Sequence, residues 1–316
     1  MDINSLAEKI LKEGSELQAH DCYILPIEQG FRCFYRKGDK RVGEQSFSEE
    51  IGNKLILHFK YRGGMNIGEK RRAQLGSFSV EIDGVKRRFR LSTVGNFEQK
   101  ESLVLRFLHS FEVQKLQFFF EGQLEELREK TLRRGLYLFS GATGSGKTTT
   151  MYQLAQMLEE EKQIIAVEDP VEIENARILQ LQVNESIGMD YEALIKLTLR
   201  HRPDLLIVGE IRDEITARTV IRAALTGHTV FSTVHAQSPK GVFLRMKELG
   251  VSDVEMEQTV KGVIYQRLFT DNHGKTRALF SFSKNGKKET EWNDLLEKLV
   301  QEKRISQEIY SQEKFV

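Results

Sequence analysis

Residues 141–148 read G-A-T-G-S-G-K-T, and no other feature constrains the fold of this chain so tightly. The spacing G-x-x-x-x-G-K-T describes a phosphate-binding turn, and it carries chemistry only between a strand and a helix. Both flanks are present. Residues 136–139 (L-Y-L-F) form a short apolar strand, and residues 149–158 repeat apolar side chains at helical spacing. In that setting Gly141, Gly144 and Gly146, with Thr143 and Ser145 between them, let consecutive backbone N–H groups wrap a phosphate chain. The positive end of the helix dipole lies behind them. Lys147 then reaches the β- and γ-phosphates, the hydroxyl of Thr148 holds Mg²⁺, and Thr149 continues the first helical turn. The chain is expected to bind a nucleoside triphosphate on an α/β scaffold.

At 316 residues the chain can build two domains, each with its own core. Lys+Arg 47 against Asp+Glu 46 is a near balance, which counts against wholesale binding of nucleic acid or a lipid surface. The two cysteines, Cys22 and Cys33, are flanked by strand-like apolar residues and read as small core residues. Structural zinc needs four closely spaced ligands, and that pattern is missing. No apolar run approaches the roughly 20 residues that span a bilayer, and the first residues lack the apolar stretch of a signal peptide. The protein is expected in the cytoplasm unless a partner carries it to a membrane.

The two halves differ in character. In the first, residues 3–13 repeat apolar positions at helical spacing and stop at Gly14. Strand-like stretches follow at 22–25 and 31–35, separated by a Pro/Gly turn region. Ser48 caps a helix that carries its apolar face over 50–59 and ends at Gly63 and Gly64. Residues 77–82 alternate cleanly, Asp83 and Gly84 signal a type I′ hairpin, residues 86–91 return, and 103–108 add a further strand. This is a small mixed α/β domain, placed at 1–110. From 111 to 316 a charged helix (124–132) leads into the phosphate-loop strand. Short strands apolar throughout (164–167, 205–208, 230–233) then alternate with helices, as a parallel sheet covered on both faces requires. An amphipathic helix covers 293–300.

Polar clusters fall where each of these parallel strands ends, which is where open α/β sheets bind ligands. After 164–167 comes E-D-P-V-E, with Glu168 and Glu172 able to orient water or Mg²⁺; the bland alternative is a solvated acidic turn. After 205–208 comes G-E-I-R-D, in which Glu210 is placed like a Walker B acid to hold Mg²⁺ or polarise the attacking water. The strand at 230–233 is flanked by His228 and His235, whose imidazoles could donate to a γ-phosphate or sense its loss.

In order and wording these clusters resemble the type II secretion and type IV pilus assembly ATPases, a branch of the secretion ATPase superfamily. The matches are the Walker A box at 141–148, the Asp box at 168–172, the Walker B box at 208–213 and the His box at 227–235. Further agreement lies at 181–185, 202–204 and 262–268, and the likeness spans about residues 65–282. The resemblance implies a RecA-like P-loop NTPase domain with a mostly parallel central sheet, preceded by a smaller, PAS-like α/β domain. It implies that Arg90 and Arg106 act as arginine fingers on the γ-phosphate, whereas Arg87 and Arg88 read as solvated strand-surface residues. It also implies Mg²⁺-dependent ATP hydrolysis by a homohexamer that drives a polytopic inner-membrane platform protein and, through it, pilin subunits. Neither direct nucleic-acid binding nor zinc is implied.

Departures from the family pattern refine this. Residues 200–204 read R-H-R-P-D, with Arg202 where relatives often carry an acid. The tetracysteine subdomain and a long N-terminal extension are missing, which makes the chain most similar to the competence-pilus ATPases of Gram-positive bacteria, used in DNA uptake. Four other readings stay open: a pilus retraction motor, a type II secretion ATPase, a nucleotide-gated scaffold with little turnover, and a DNA translocase.

Overall fold

Spacing of apolar residues builds the first helix of the computed structural model, α1 (Ile3–Glu16), which buries Leu6, Ala7, Ile10 and Leu11 on one stripe. The structure describes residues 2–37, 40–108, 116–131, 133–284 and 290–315. It divides into two compact units, Met1–Ser110 and Phe111–Val316. The helix does not stop at Gly14. That residue is buried within it, because a Cβ there would sit 2.1 Å from Cζ of Phe107. Glycine serves here for close approach and not as a terminator.

The strands of the first unit are β1 (Asp21–Ile27), β2 (Gly30–Lys37), β3 (Lys40–Phe47), β4 (Gln74–Ile82), β5 (Val85–Gly95) and β6 (Glu101–Leu108). They form one sheet in the order β3-β2-β1-β6-β5-β4, every neighbouring pair antiparallel. Pro26 lies inside β1 instead of in the turn, and β3, polar and largely exposed, carries too little apolar alternation to announce itself. Asp83 (φ 51°) and Gly84 (φ 76°) both take positive φ, as a type I′ turn requires. Helix α2 (Glu49–Arg62) starts at Ser48, whose Oγ accepts from the N–H of Ile51. The core joins α1 and α2 to the sheet through Ile10, Leu55, Phe59, Phe89 and Leu105. Cys22 and Cys33 are free, buried thiols on adjacent strands.

In the second unit the central sheet contains β7 (Gly135–Ser140), β8 (Ile164–Glu168), β9 (Leu179–Gln182), β10 (Leu205–Glu210), β11 (Thr229–Val234), β12 (Val260–Thr270) and β13 (Thr276–Ser283). Their order is β13-β12-β7-β11-β10-β8-β9, and all neighbours run parallel except β12 and β13. Every residue of β7 and β8 is buried, so these strands have no polar face to show. One sheet face is covered by α5 (Tyr191–Arg200), α6 (Glu214–Leu225), α7 (Pro239–Glu248) and α8 (Asp253–Thr259). The opposite face is covered by α3 (Gln123–Lys130) and α4 (Lys147–Gln156). Helices α9 (Thr290–Gln301) and α10 (Gln307–Glu313) build a further cluster around the buried Trp292, against β12 and β13. Because β7, β8, β10 and β11 run parallel, their last residues share one edge.

Candidate nucleotide site

The turn between β7 and α4 takes the shape that its glycines allow. Gly141 (φ 141°), Gly144 (φ 77°) and Gly146 (φ 81°) all lie where side chains are disfavoured. A Cβ on Gly141 would fall 2.1 Å from the carbonyl oxygen of Gln266. Ser145 Oγ is buried without a partner among the described residues, while Thr143 and Gly144 face outward. Lys147, first residue of α4 and 7% exposed, donates to the carbonyls of Gly141 (3.1 Å) and Ala142 (2.9 Å). Burial pushes its pKa below the ordinary lysine value, while the charges of Glu210 and Glu172 pull it back up. Thr148 is half-buried and Thr149 buried on the following turn.

Across the shared edge, the other predicted side chains fall into three situations. Glu210, last residue of β10, pairs with Arg212 and lies 3.8 Å from Nε2 of His235, which follows β11. Burial and the charge of Lys147 push the His235 pKa below its ordinary value, against Glu210, so the ring is neutral at pH 7. Glu172 is exposed, close enough for its charge to reach Lys147. Glu168 differs from the expectation of an open carboxylate. It is 2% exposed, and its Oε1 accepts from Tyr152 of α4 and, at 3.3 Å, from Gln180 of β9.

One expectation needs correction. His228 precedes β11 and His235 follows it, so the two imidazoles stand at opposite ends of a six-residue strand, roughly 20 Å of extended chain apart. His228 accepts the N–H of Gly135 on its backbone carbonyl, and its ring contacts Thr226 at 3.1 Å. It therefore belongs to the edge away from the phosphate loop and cannot touch a γ-phosphate there. The 200–204 loop lies at that far edge too. Asp204 accepts the N–H of Gln163 at 2.9 Å and staples the starts of β8 and β10 together, and Arg202 takes φ 52° in the turn. Arg202 therefore lies at the end of the sheet opposite the phosphate loop.

Arg90 and Arg106 face one another across β5 and β6. Nε of Arg106 donates to Asp21 at 2.9 Å, which fixes its direction on the sheet.

The sequence reading noted the segment 262–268 but gave no role to Gln266, the polar member of G-V-I-Y-Q in β12. Its Oε1 accepts from Thr150 Oγ1 (2.7 Å) and its Nε2 donates to the carbonyl of Ser145 (2.6 Å), clamping the phosphate loop from the neighbouring strand. A fully buried amide in an apolar strand was the available signal. Tyr152 was hidden in the helical repeat of α4 as one more apolar position.

The profile of the type II/IV secretion system protein family matches residues 2–311. Competence protein ComGA of Streptococcus pneumoniae is 45% identical over 307 residues, covering 96% of each chain. Type II secretion system protein E of Xanthomonas campestris is 36% identical over 83% of this chain and 47% of its own length. Among solved structures, the pilus retraction motor PilT with bound ADP aligns at TM-score 0.74 and 24% identity, over 96% of both chains. The ATPase DotB of Legionella pneumophila aligns at TM-score 0.75 and 17% identity, over 98% of this chain and 95% of its own. At those identities the two structures speak for the fold. With the G-x-x-x-x-G-K-T turn, Glu210 and His235 on one edge of a mostly parallel sheet, and relatives of this similarity over nearly its full length, the chain belongs to the type II/IV secretion system protein family of ATPases.

Proposed function

We propose that this protein is an ATP-hydrolysing, Mg²⁺-dependent hexameric motor that powers assembly of a type IV-like competence pilus for DNA uptake. The observation that carries the reading is the convergence of Lys147, Glu172, Glu210 and His235, from separate strands and loops, onto the edge that holds the phosphate loop. The glycine cradle and the unpartnered Ser145 hydroxyl fit a triphosphate. Among the described residues there is no cluster of three or more acidic, histidine or cysteine side chains that could cage a cation. Mg²⁺ bound to nucleotide fits that, because it takes one or two protein oxygens and completes its shell with phosphate and water. Thr148 and Glu210 are the residues that would hold it, and the ion would neutralise charge on the phosphates. Glu168 and Glu172 are proposed to act on the attacking water.

Likeness to competence proteins over 96% and 84% of the chain favours assembly over retraction. In this reading the second unit is a RecA-like domain, the first is PAS-like, and Arg90 and Arg106 close on the γ-phosphate as arginine fingers. Hydrolysis would then move one unit against the other. No helix among the described residues is long and apolar enough to cross a membrane. The motor is therefore proposed to sit in the cytoplasm and reach the membrane through a polytopic platform protein, with pilins engaged only indirectly. In the test, Lys147→Ala is assayed for ATP turnover and for pilus formation in cells. Loss of both is expected, and retention of both overturns the reading.

A further inference from the structure

Tyr191 opens α5, immediately after the capping residue Asp190, and its hydroxyl points away from the helix toward the active edge of the sheet. Oη is buried and has no hydrogen-bond partner among the described residues. Its surroundings are specific. A Cβ placed on Gly209 would lie 3.2 Å from Tyr191 Oη, 3.3 Å from Cα of Glu168 and 3.4 Å from Cγ of Glu168. The hydroxyl therefore sits in the seam between the end of β8 and the end of β10, one residue before Glu210. Burial, then Asp169 and Glu210, hold the phenol pKa well above its ordinary value, with a smaller push from Glu168 and only Arg212 opposing. The group keeps its proton at physiological pH and is a donor without an acceptor.

A buried hydroxyl left unpaired costs stability, and a phenylalanine would fill the same space without that cost. The arrangement makes sense when an acceptor arrives with the substrate. We propose that Tyr191 Oη donates a hydrogen bond to the water that attacks the γ-phosphate, fixing it in the seam between Glu168 and Glu210. This rests on the ATPase reading above. A water oxygen that accepts one hydrogen bond keeps a second lone pair for phosphorus. In the step itself that oxygen bonds to the γ-phosphorus and the bond from phosphorus to the β–γ bridging oxygen breaks. ADP leaves with the electron pair, and a proton of the water passes to the carboxylate of Glu168. Tyr191 keeps its own proton throughout.

The test is Tyr191→Phe in the full chain, with kcat and KM for ATP, the Kd for ADP and the Tm without nucleotide measured beside wild type and Lys147→Ala. The expected result is a kcat lowered about tenfold or more, as loss of one transition-state hydrogen bond implies. KM and the ADP Kd should stay within about twofold, and Tm should be equal or higher. A kcat within about twofold of wild type, whatever the Tm, overturns the proposal and leaves the hydroxyl as a packing defect. A lowered Tm with kcat and KM worsened together overturns it in favour of a structural role. If wild type turns over no faster than Lys147→Ala, the ATPase reading itself fails, and this inference falls with it.

Discussion

Gln266 uses both ends of its amide within one small region. Removing it strands the Ser145 carbonyl and the Thr150 hydroxyl behind the phosphate loop. A buried polar group left unmatched costs about 1–3 kcal/mol. Gln266→Ala is therefore expected to raise KM for ATP by roughly tenfold or more, since 1.4 kcal/mol is a factor of ten. Steady-state kinetics and calorimetry with ADP would show it, and an unchanged KM would mean that the loop holds its own shape. The two histidines give a sharper contrast. His235→Gln is expected to reduce turnover, because it stands beside Glu210, whereas His228→Gln should leave turnover near wild type, because it lies at the other end of β11. Equal losses in the two variants would contradict that placement. At this scale the sequence was readable wherever a spacing encodes backbone geometry, as at Gly141, Gly144 and Gly146. It was not readable where partners come from distant segments, as for Tyr152 with Glu168 or Gln266 with Ser145. A pair of histidines seven residues apart looks like one site until the strand between them is drawn at its full length.

Among the elements, α1 makes two physical effects compete at one position. Helix propensity alone would make Gly14→Ala stabilising by up to about 1 kcal/mol. The Phe107 ring occupies the space that the new methyl needs, at 2.1 Å, and overpacking a core costs about 1–3 kcal/mol. Packing wins, so Gly14→Ala is expected to lower the Tm of the first unit, as followed by thermal unfolding; a higher Tm would mean that Phe107 moves aside freely. The same competition explains why the sequence ended this helix too early, for a glycine inside a helix and a glycine that terminates one look alike until the neighbour is known. Strand β3 was missed for the opposite reason. An edge strand that is mostly exposed needs no apolar alternation, and charged residues there also protect the edge from further pairing. The buried parallel strands β7, β8, β10 and β11 were legible because burial on both faces leaves mostly apolar residues to choose from.

For the whole molecule, the parallel order of β7, β11, β10 and β8 brings separate strand ends to one edge, so a linear series of motifs becomes one candidate site. The proposed motor hydrolyses ATP at this edge within a ring of identical chains. The most direct measurement is ATP turnover of the purified protein beside its Glu210→Gln variant, with the mass in solution read with and without ATP. Turnover is expected in the wild type, with a loss of about 100-fold or more in a variant that still binds ATP, and a mass of six chains when ATP is present. A monomer that turns ATP over no faster than the variant would contradict the proposal.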